Sequence, residues 1–267
     1  MKKIWVIGSA MLVVILMLYV AMMHFPKEDK KVQELSFADE EMKSTLLHTA
    51  VQEEIIDKLE DFNEESLEQI KSLNIGYTSY YSTLLDIKRC KNVQRIYIGI
   101  PEFIMVPYYK KQYDIPKLEG TENVLPIEDE LADILQSCND LRELYISNDE
   151  GTCELKNLEF LEYGENIISL WLWSQKDLDY TFIYKCVNLQ ILDVSASDID
   201  DLNGIRNLTN LEILDIKDTN ISEAGDIVYL HNLKELRVYG TPLAGNEKEL
   251  DIIREALPNV EIDFKNY

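Results

Sequence analysis

The chain contains 267 residues, and its 49 acidic and 26 basic side chains give a formal net charge of −23 at pH 7. A surface this acidic repels the phosphates of nucleic acids, so we expect no nucleic-acid partner. The three histidines lack partners at metal-ligand spacing, and the sequence contains no P-loop or catalytic motif. We therefore expect no metal, no cofactor and no enzymatic activity.

The N-terminal sequence predicts a membrane helix. From Ile4 to Phe25 the chain has 22 residues without a formal charge, about 33 Å as an α-helix, which is enough to cross a bilayer. A cleaved signal peptide is the alternative, but cleavage after Ala21 would leave the large Tyr19 where a small residue is needed. We predict an uncleaved signal-anchor helix at residues 1–25 and a charged spacer at residues 26–36.

Lysines flank both ends of this apolar run, so the positive-inside rule does not decide its orientation. A signal-like start normally inserts with its short N-terminus inside the cell. We therefore expect a single-pass protein of the cell membrane whose remaining domain is extracellular.

The next segment, residues 37–66, has the periodicity of helices. Its apolar side chains recur at helical spacing, at Met42, Leu46, Leu47, Ile55, Ile56 and Leu59. We predict helices that cover the start of the domain that follows.

An apolar phrase, apolar-x-x-apolar-x-apolar, recurs after residue 67. Four copies begin 22 residues apart, at Ile167, Leu189, Leu211 and Leu233. Less regular copies begin at Ile70, Val93 and Leu141. Further apolar residues follow at intervals of about three, so each unit predicts a short strand, a corner and a 3₁₀-type return.

No single unit can bury its own apolar side, but stacked units share one continuous core. The pattern resembles the leucine-rich repeat, specifically the 22-residue type of bacterial internalin-like surface proteins. The resemblance covers roughly Phe37 to Phe264 and implies an α/β solenoid with a parallel β-sheet on its concave face. It places the repeats at residues 67–244 and makes residues 37–66 a helical N-terminal cap.

That family often carries asparagine three residues after the last apolar position of the strand. This chain has other residues there, namely Thr78, Pro101, Asp149, Gln175, Ser197, Thr219 and Thr241. We expect the hydroxyl groups of Thr78, Ser197, Thr219 and Thr241 to hydrogen-bond locally in place of the amide.

The last segment, residues 245–267, predicts a helix–strand cap. Asn246 and Glu249 have the spacing of a capping box at a helix start. The apolar positions that follow are Leu250, Ile253 and Leu257 for the helix, and Val260, Ile262 and Phe264 for a last strand.

One irregular insertion interrupts the repeats at about residues 101–130. It contains Pro101, Pro107, Pro116 and Pro126, so no helix runs through its first part. A decayed repeat, an ordered flap and a mobile loop all stay open for this segment.

The cysteines occupy a repeat position. Three cysteines, Cys90, Cys138 and Cys186, each lie three residues before the first apolar position of a strand. Leu208 and Leu230 occupy the same position in later units. We therefore expect reduced, buried cysteines of the core. A disulfide between Cys90 and Cys138 is the alternative.

The positions between the core residues of each strand face solvent in such a solenoid. In the middle repeats they carry large aromatic side chains beside apolar and acidic ones. We predict a ligand-binding surface at Tyr97, Tyr145, Trp171, Trp173, Ile191, Asp193, Ile213 and Asp215. The alternative is that the insertion covers these side chains as ordinary core.

The sequence thus predicts a membrane-tethered extracellular leucine-rich-repeat protein that binds a protein ligand on its concave face. A glycan-binding or cell-wall-binding module is the alternative, because tryptophan and tyrosine also stack on sugar rings. A purely structural spacer is a third hypothesis.

Overall fold

The structure is a computed structural model that describes residues 35–99, 126–148 and 151–265. The predicted membrane helix at residues 4–25 lies outside these residues, as do most of the predicted spacer and most of the insertion. In the part of the chain that is described, no helix is long and apolar enough to cross a membrane.

Two helices, α1 (Glu40–Gln52) and α2 (Glu64–Gln69), lie in the segment predicted as the N-terminal cap. Asp39 starts α1 because its carboxylate accepts the Met42 N–H at 2.7 Å. The same carboxylate accepts the N–H and the hydroxyl of Ser82 at 2.7 and 2.6 Å, which ties the cap to the first repeat. Burial opposes ionisation, but these hydrogen bonds outweigh it and lower the pKa of Asp39.

Eight short strands of the described residues form one parallel sheet, in which each strand pairs with the next along the chain. The strands are β1 Ser72–Gly76, β2 Arg95–Ile98, β3 Glu143–Ser147, β4 Ser169–Trp173, β5 Ile191–Asp193, β6 Ile213–Asp215, β7 Glu235–Arg237 and β8 Glu261–Asp263. The parallel α/β solenoid predicted from the repeats is confirmed. Assignment to the 22-residue type stays a prediction.

The second residue of each strand belongs to the core. These residues pair in register across the sheet as Leu73, Ile96, Leu144, Leu170, Leu192, Leu214, Leu236 and Ile262. The first seven are at most 1% exposed. Neighbouring strands lie about 4.8 Å apart, so each of these side chains inside the stack is covered by the repeats before and after it.

A short helical return follows each of the strands β1 to β7. The returns after β1 to β6 are Leu85–Arg89, the α-helix α3 at Glu128–Ser137, Glu159–Tyr163, Tyr180–Lys185, Ile205–Asn207 and Gly225–Tyr229. All but α3 are 3₁₀ helices, as the three-residue rhythm predicts. Helix α3 begins inside the segment 101–130 that was assigned to the insertion, after the last of its prolines.

Acidic side chains link neighbouring returns. In each case a carboxylate accepts the N–H of the residue that starts the preceding helical segment, a donor that this segment itself cannot satisfy. For Asp39 that segment is the cap helix α1, and for the other three it is a return. The pairs are Asp86 with Asp39, Glu130 with Leu84, Asp226 with Gly204 and Glu249 with Ala224, at N···O distances of 3.1, 2.6, 2.8 and 3.1 Å. Part of the acidic excess therefore holds the repeats together.

Two further sets of side-chain hydrogen bonds recur in the stack. After the strands, Thr219 and Thr241 donate to the carbonyls of Ile216 and Val238 at 2.7 Å, as expected. The expectation of local bonds is wrong for the other two hydroxyl groups at this position, because Thr78 and Ser197 donate to the carbonyls of Thr152 and Leu172 in other repeats. Before the strands, asparagine side chains donate to a carbonyl of the preceding repeat. These asparagines are Asn92, Asn188, Asn210 and Asn232.

A carboxylate covers the first edge of the sheet. The N–H groups of Lys71 and Ser72 donate to the two oxygens of Glu53 at 3.0 and 3.1 Å. Inside the sheet, Gln94 and Arg95 donate in the same way to the carbonyl of Lys71. Glu53 thus takes the place of a preceding strand at an edge that could otherwise pair with another chain.

Helix α4 (Glu247–Ala256) and β8 close the other end of the stack. Asn246 starts α4 by accepting the Glu249 N–H at 3.5 Å. The Glu249 carboxylate accepts from Ala224 instead of returning to Asn246, so only half of the predicted capping box forms.

All four cysteines are buried and free. Cys90, Cys138 and Cys186 each end a helical return, as Leu208 and Leu230 do in later repeats. The prediction of reduced core cysteines is confirmed, and Cys90 and Cys138 form no disulfide. Burial raises the pKa of Cys138 to about 11 and that of Cys186 to about 12, which keeps both thiols protonated.

Gly164 ends the return between those of Cys138 and Cys186. A Cβ added to Gly164 would lie 2.6 Å from the Cys186 sulfur. We expect Gly164→Ala to lower the free energy of unfolding by about 1–3 kcal/mol, as overpacking of a core usually does. Because Cys186→Ala removes the sulfur, the double variant should recover at least about 1 kcal/mol in a double-mutant cycle measured by urea denaturation.

Gly245→Ala is the matched control, since a Cβ there would meet nothing within 4 Å. It should change the free energy of unfolding by less than about 0.5 kcal/mol. Strictly additive losses in Gly164→Ala and Cys186→Ala would contradict the packing argument.

Candidate functional site

One face of the sheet points away from the helical returns, and we call it the concave face. Its side chains alternate with the core positions, because successive side chains of a strand point to opposite faces. Its middle positions pair across the sheet as Asn74, Tyr97, Tyr145, Trp171, Asp193, Asp215, Arg237 and Asp263. This pairing matches the order read from the sequence. The middle positions are aromatic from Tyr97 to Trp171 and charged from Asp193 to Asp263.

Tyr97, Tyr145 and Trp171 form a continuous stack over three strands, which we call the aromatic row. The ring centroids of Tyr97 and Tyr145 are 6.3 Å apart, and those of Tyr145 and Trp171 are 6.1 Å apart, with tilts of 42° and 36°. Tilted pairs at these distances attract each other beyond simple burial. All three side chains are half-buried, and burial raises the pKa of Tyr97.

Trp173, Ile191 and Ile213 extend this apolar surface and are also half-buried. Trp173 lies on the same strand as Trp171, and Ile191 and Ile213 pair directly on β5 and β6. The strands β2 to β6 span about 19 Å at the usual spacing. A helix, about 10–12 Å in diameter with its side chains, could lie across this surface.

Asp215 has its charge neutralised inside the protein. Its side chain is 2% exposed, and its carboxylate lies 3.3 Å from both the Lys217 ammonium and the Arg237 guanidinium. Arg237 also binds Glu235 at 2.6 Å. Ionic groups at this depth are stable only when paired in this way.

Asp193, on the neighbouring strand, has a different environment. One carboxylate oxygen, Oδ1, accepts the N–H of Ser195 at 2.8 Å and its hydroxyl. Among the described residues, no cation forms an ion pair with Asp193. Burial raises its pKa to about 6, and repulsion from Asp215 adds to this, while the bonds from Ser195 and the charge of Lys217 act in the opposite direction.

Solved structures share this architecture. The chain is similar to internalin C2 of Listeria monocytogenes, with 15% identity, a TM-score of 0.55, and coverage of 86% of this chain and 94% of that one. It is also similar to a second internalin of that organism, with 20% identity, a TM-score of 0.51, and coverage of 77% and 57%. The fold is a leucine-rich repeat. No protein-family model matches the sequence, and no curated protein matches it.

The leucine-rich repeat brings all eight predicted site residues onto one face, across β2 to β6. The predicted site leaves out the charged side chains that border these residues, although the repeat places them on the same face. Arg95 and Glu143 form an ion pair at 3.9 Å on one side, and Lys217 and Arg237 hold Asp215 on the other. The sequence did contain a signal for the ion pair between Asp215 and Arg237, because the repeat places these two residues at paired positions of neighbouring strands.

We expect the Asp193 carboxyl group to titrate near pH 6, measured by ¹³C NMR of the carboxyl carbon. Its pKa is raised above the ordinary value of about 3.9, so its contribution to stability is present below about pH 4 and is lost as the pH rises through about 6. Asp215→Asn removes the repulsion between the two carboxylates, so the pKa of Asp193 should fall.

Asp200→Asn is the control, because Asp200 is exposed and the substitution removes the same charge at a position away from Asp193. It should leave the titration of Asp193 unchanged. A wild-type titration near pH 4, or equal effects of the two substitutions, would contradict this view of the site.

Proposed function

We propose that the chain is a non-enzymatic, membrane-tethered extracellular leucine-rich-repeat protein that binds a protein ligand on its concave face. The aromatic row carries this proposal, because its rings stack on one another at the solvent side of a sheet whose core is filled from the opposite side. Apolar surface left in water is unfavourable by about 25 cal/mol per Å². A ligand that covers the aromatic row would recover this free energy.

The distribution of charge around the aromatic row favours a protein as the ligand. An apolar centre with a polar rim is the usual anatomy of a protein interface. Here the rim consists of the Arg95–Glu143 pair on one side and the Asp215 cluster with Lys217 and Arg237 on the other. A glycan or cell-wall polymer is the second candidate, since the rings of Tyr145 and Trp171 could also stack on sugars.

The tether and the extracellular location rest on the N-terminal sequence. The uncharged run at residues 4–25 is long enough for a bilayer.

Photo-crosslinking at position 171 tests the ligand. Trp171→p-benzoylphenylalanine in the full-length protein should capture a protein in cells, whereas the same change at Tyr163 should not. Tyr163 is 46% exposed and lies on the helical return of the preceding strand, away from the concave face. With the captured protein purified, Trp171→Ala should raise its Kd at least about fivefold, a loss of about 1 kcal/mol or more, because the indole is buried on binding.

Tyr163→Ala is the matched control and should leave the Kd unchanged. Trp171→Ala should lower the free energy of unfolding by no more than about 1 kcal/mol. A stability loss of about 3–5 kcal/mol with unchanged affinity would show that the ring belongs to the core. Capture of a polysaccharide without a protein would establish the glycan candidate instead.

The topology is tested with protease added to intact cells. We expect digestion of the repeat domain from outside, because the proposed anchor places it there, and we expect the intact protein in the membrane fraction. Immunoblotting of fractions from intact and lysed cells measures both. Full protection in intact cells, with digestion only after lysis, would overturn the proposed orientation.

A further inference from the structure

Two carboxylates, Asp193 and Asp215, occupy paired positions on neighbouring strands but are compensated unequally. Asp215 lies 3.3 Å from both Lys217 and Arg237. Asp193 forms no ion pair within the described residues, although it is half-buried. Lys217 favours the charged form of Asp193, but its ammonium group is ion-paired with Asp215. The charge of Asp193 is therefore only partly compensated in the free protein, which is unfavourable for a desolvated carboxylate.

Asp193 is placed beside an indole ring. It pairs across the sheet with Trp171, the last ring of the aromatic row. Its Oδ1 is occupied by the N–H and hydroxyl of Ser195. Its Oδ2 accepts no hydrogen bond from a described residue, so this oxygen is available to a donor that approaches over the concave face.

We infer that the site formed by Trp171 and Asp193 receives the guanidinium or ammonium group of an arginine or lysine from the protein ligand. This inference rests on the proposed function and names the side chain that the concave face recognises. The face of an indole attracts a cation within about 6 Å of its centre, and the carboxylate supplies the ion pair. The net charge of −23 would also attract a basic partner.

A metal ion is the rival cation, but the structure favours an organic one. The carboxylate of Asp215, on the neighbouring strand, already forms ion pairs with Lys217 and Arg237. A guanidinium can use one free carboxylate oxygen and a ring face together, whereas Ca²⁺ requires about six to eight oxygen ligands.

The inference is tested with N-acetylargininamide as the probe on the full-length protein in detergent. Its binding is followed by NMR of the Trp171 indole N–H and of the Asp193 carboxyl carbon. N-acetylcitrullinamide, which has nearly the same shape without the charge, should bind at least about tenfold more weakly. Asp193→Asn should weaken argininamide binding at least about tenfold, and Asp200→Asn should not.

Binding should also depend on pH. Asp193, whose pKa is about 6, must be ionised to hold the cation, so affinity should be about tenfold lower at pH 5 than at pH 7.5. Among the described residues, the charged groups that act on Asp193 are Asp215 and Lys217, both on the β6 side, while Trp171 on the β4 side does not titrate. In Asp193→Asn this pH dependence should disappear.

Several outcomes would overturn the inference. The first is that the two amides bind equally at concentrations up to about 20 mM. The second is that Asp193→Asn and Asp200→Asn weaken argininamide binding equally. The third is that CaCl₂ displaces argininamide and Ca²⁺ binds at Asp193. A crosslinked protein ligand whose affinity falls in Trp171→Ala but not in Asp193→Asn would leave the proposed function standing and refute this inference alone.

Discussion

The whole structure depends on the fact that one repeat cannot bury its apolar side without the next. The side chains of Leu170, Leu192 and Leu214 are completely buried only because their strands pair in register. A stack built in this way has two ends at which no further repeat satisfies the backbone. The Glu53 carboxylate meets this requirement at the first strand, and helix α4 with β8 covers the last repeats.

The acidic character of the chain has a structural cause as well as an electrostatic consequence. Carboxylates such as Glu130 and Asp226 accept N–H groups at the starts of helical returns, where the backbone alone leaves donors unpaired. The same residues contribute to a net charge of −23. Asp39 and Asp226 have lowered pKa values, because their hydrogen bonds outweigh the effect of burial. Their contribution to stability is therefore present above about pH 4 and is lost as the pH falls through their lowered pKa values.

The side chains of the concave face do not fill the core, because successive side chains of a strand point to opposite faces and the core lies on the other face. Its residues can therefore serve recognition without loss of the fold. The aromatic row and Ile191 provide apolar area, and Asp193 provides a charge that the protein neutralises only in part. The half-exposed rings and the partly compensated carboxylate lie next to each other, which is the physical basis for proposing a basic, partly apolar ligand surface.

The sequence by itself determined the strand register, the burial of the cysteines and the set of residues on the concave face. In a stacked repeat, spacing along the chain becomes position across the sheet, so the apolar period is sufficient for these features. Only the tertiary structure decided that Asp215 is neutralised while Asp193 is not, and that Glu249 caps the preceding return instead of its own helix. Such pairings depend on side-chain distances of a few ångströms between different repeats, which the spacing of apolar residues does not encode.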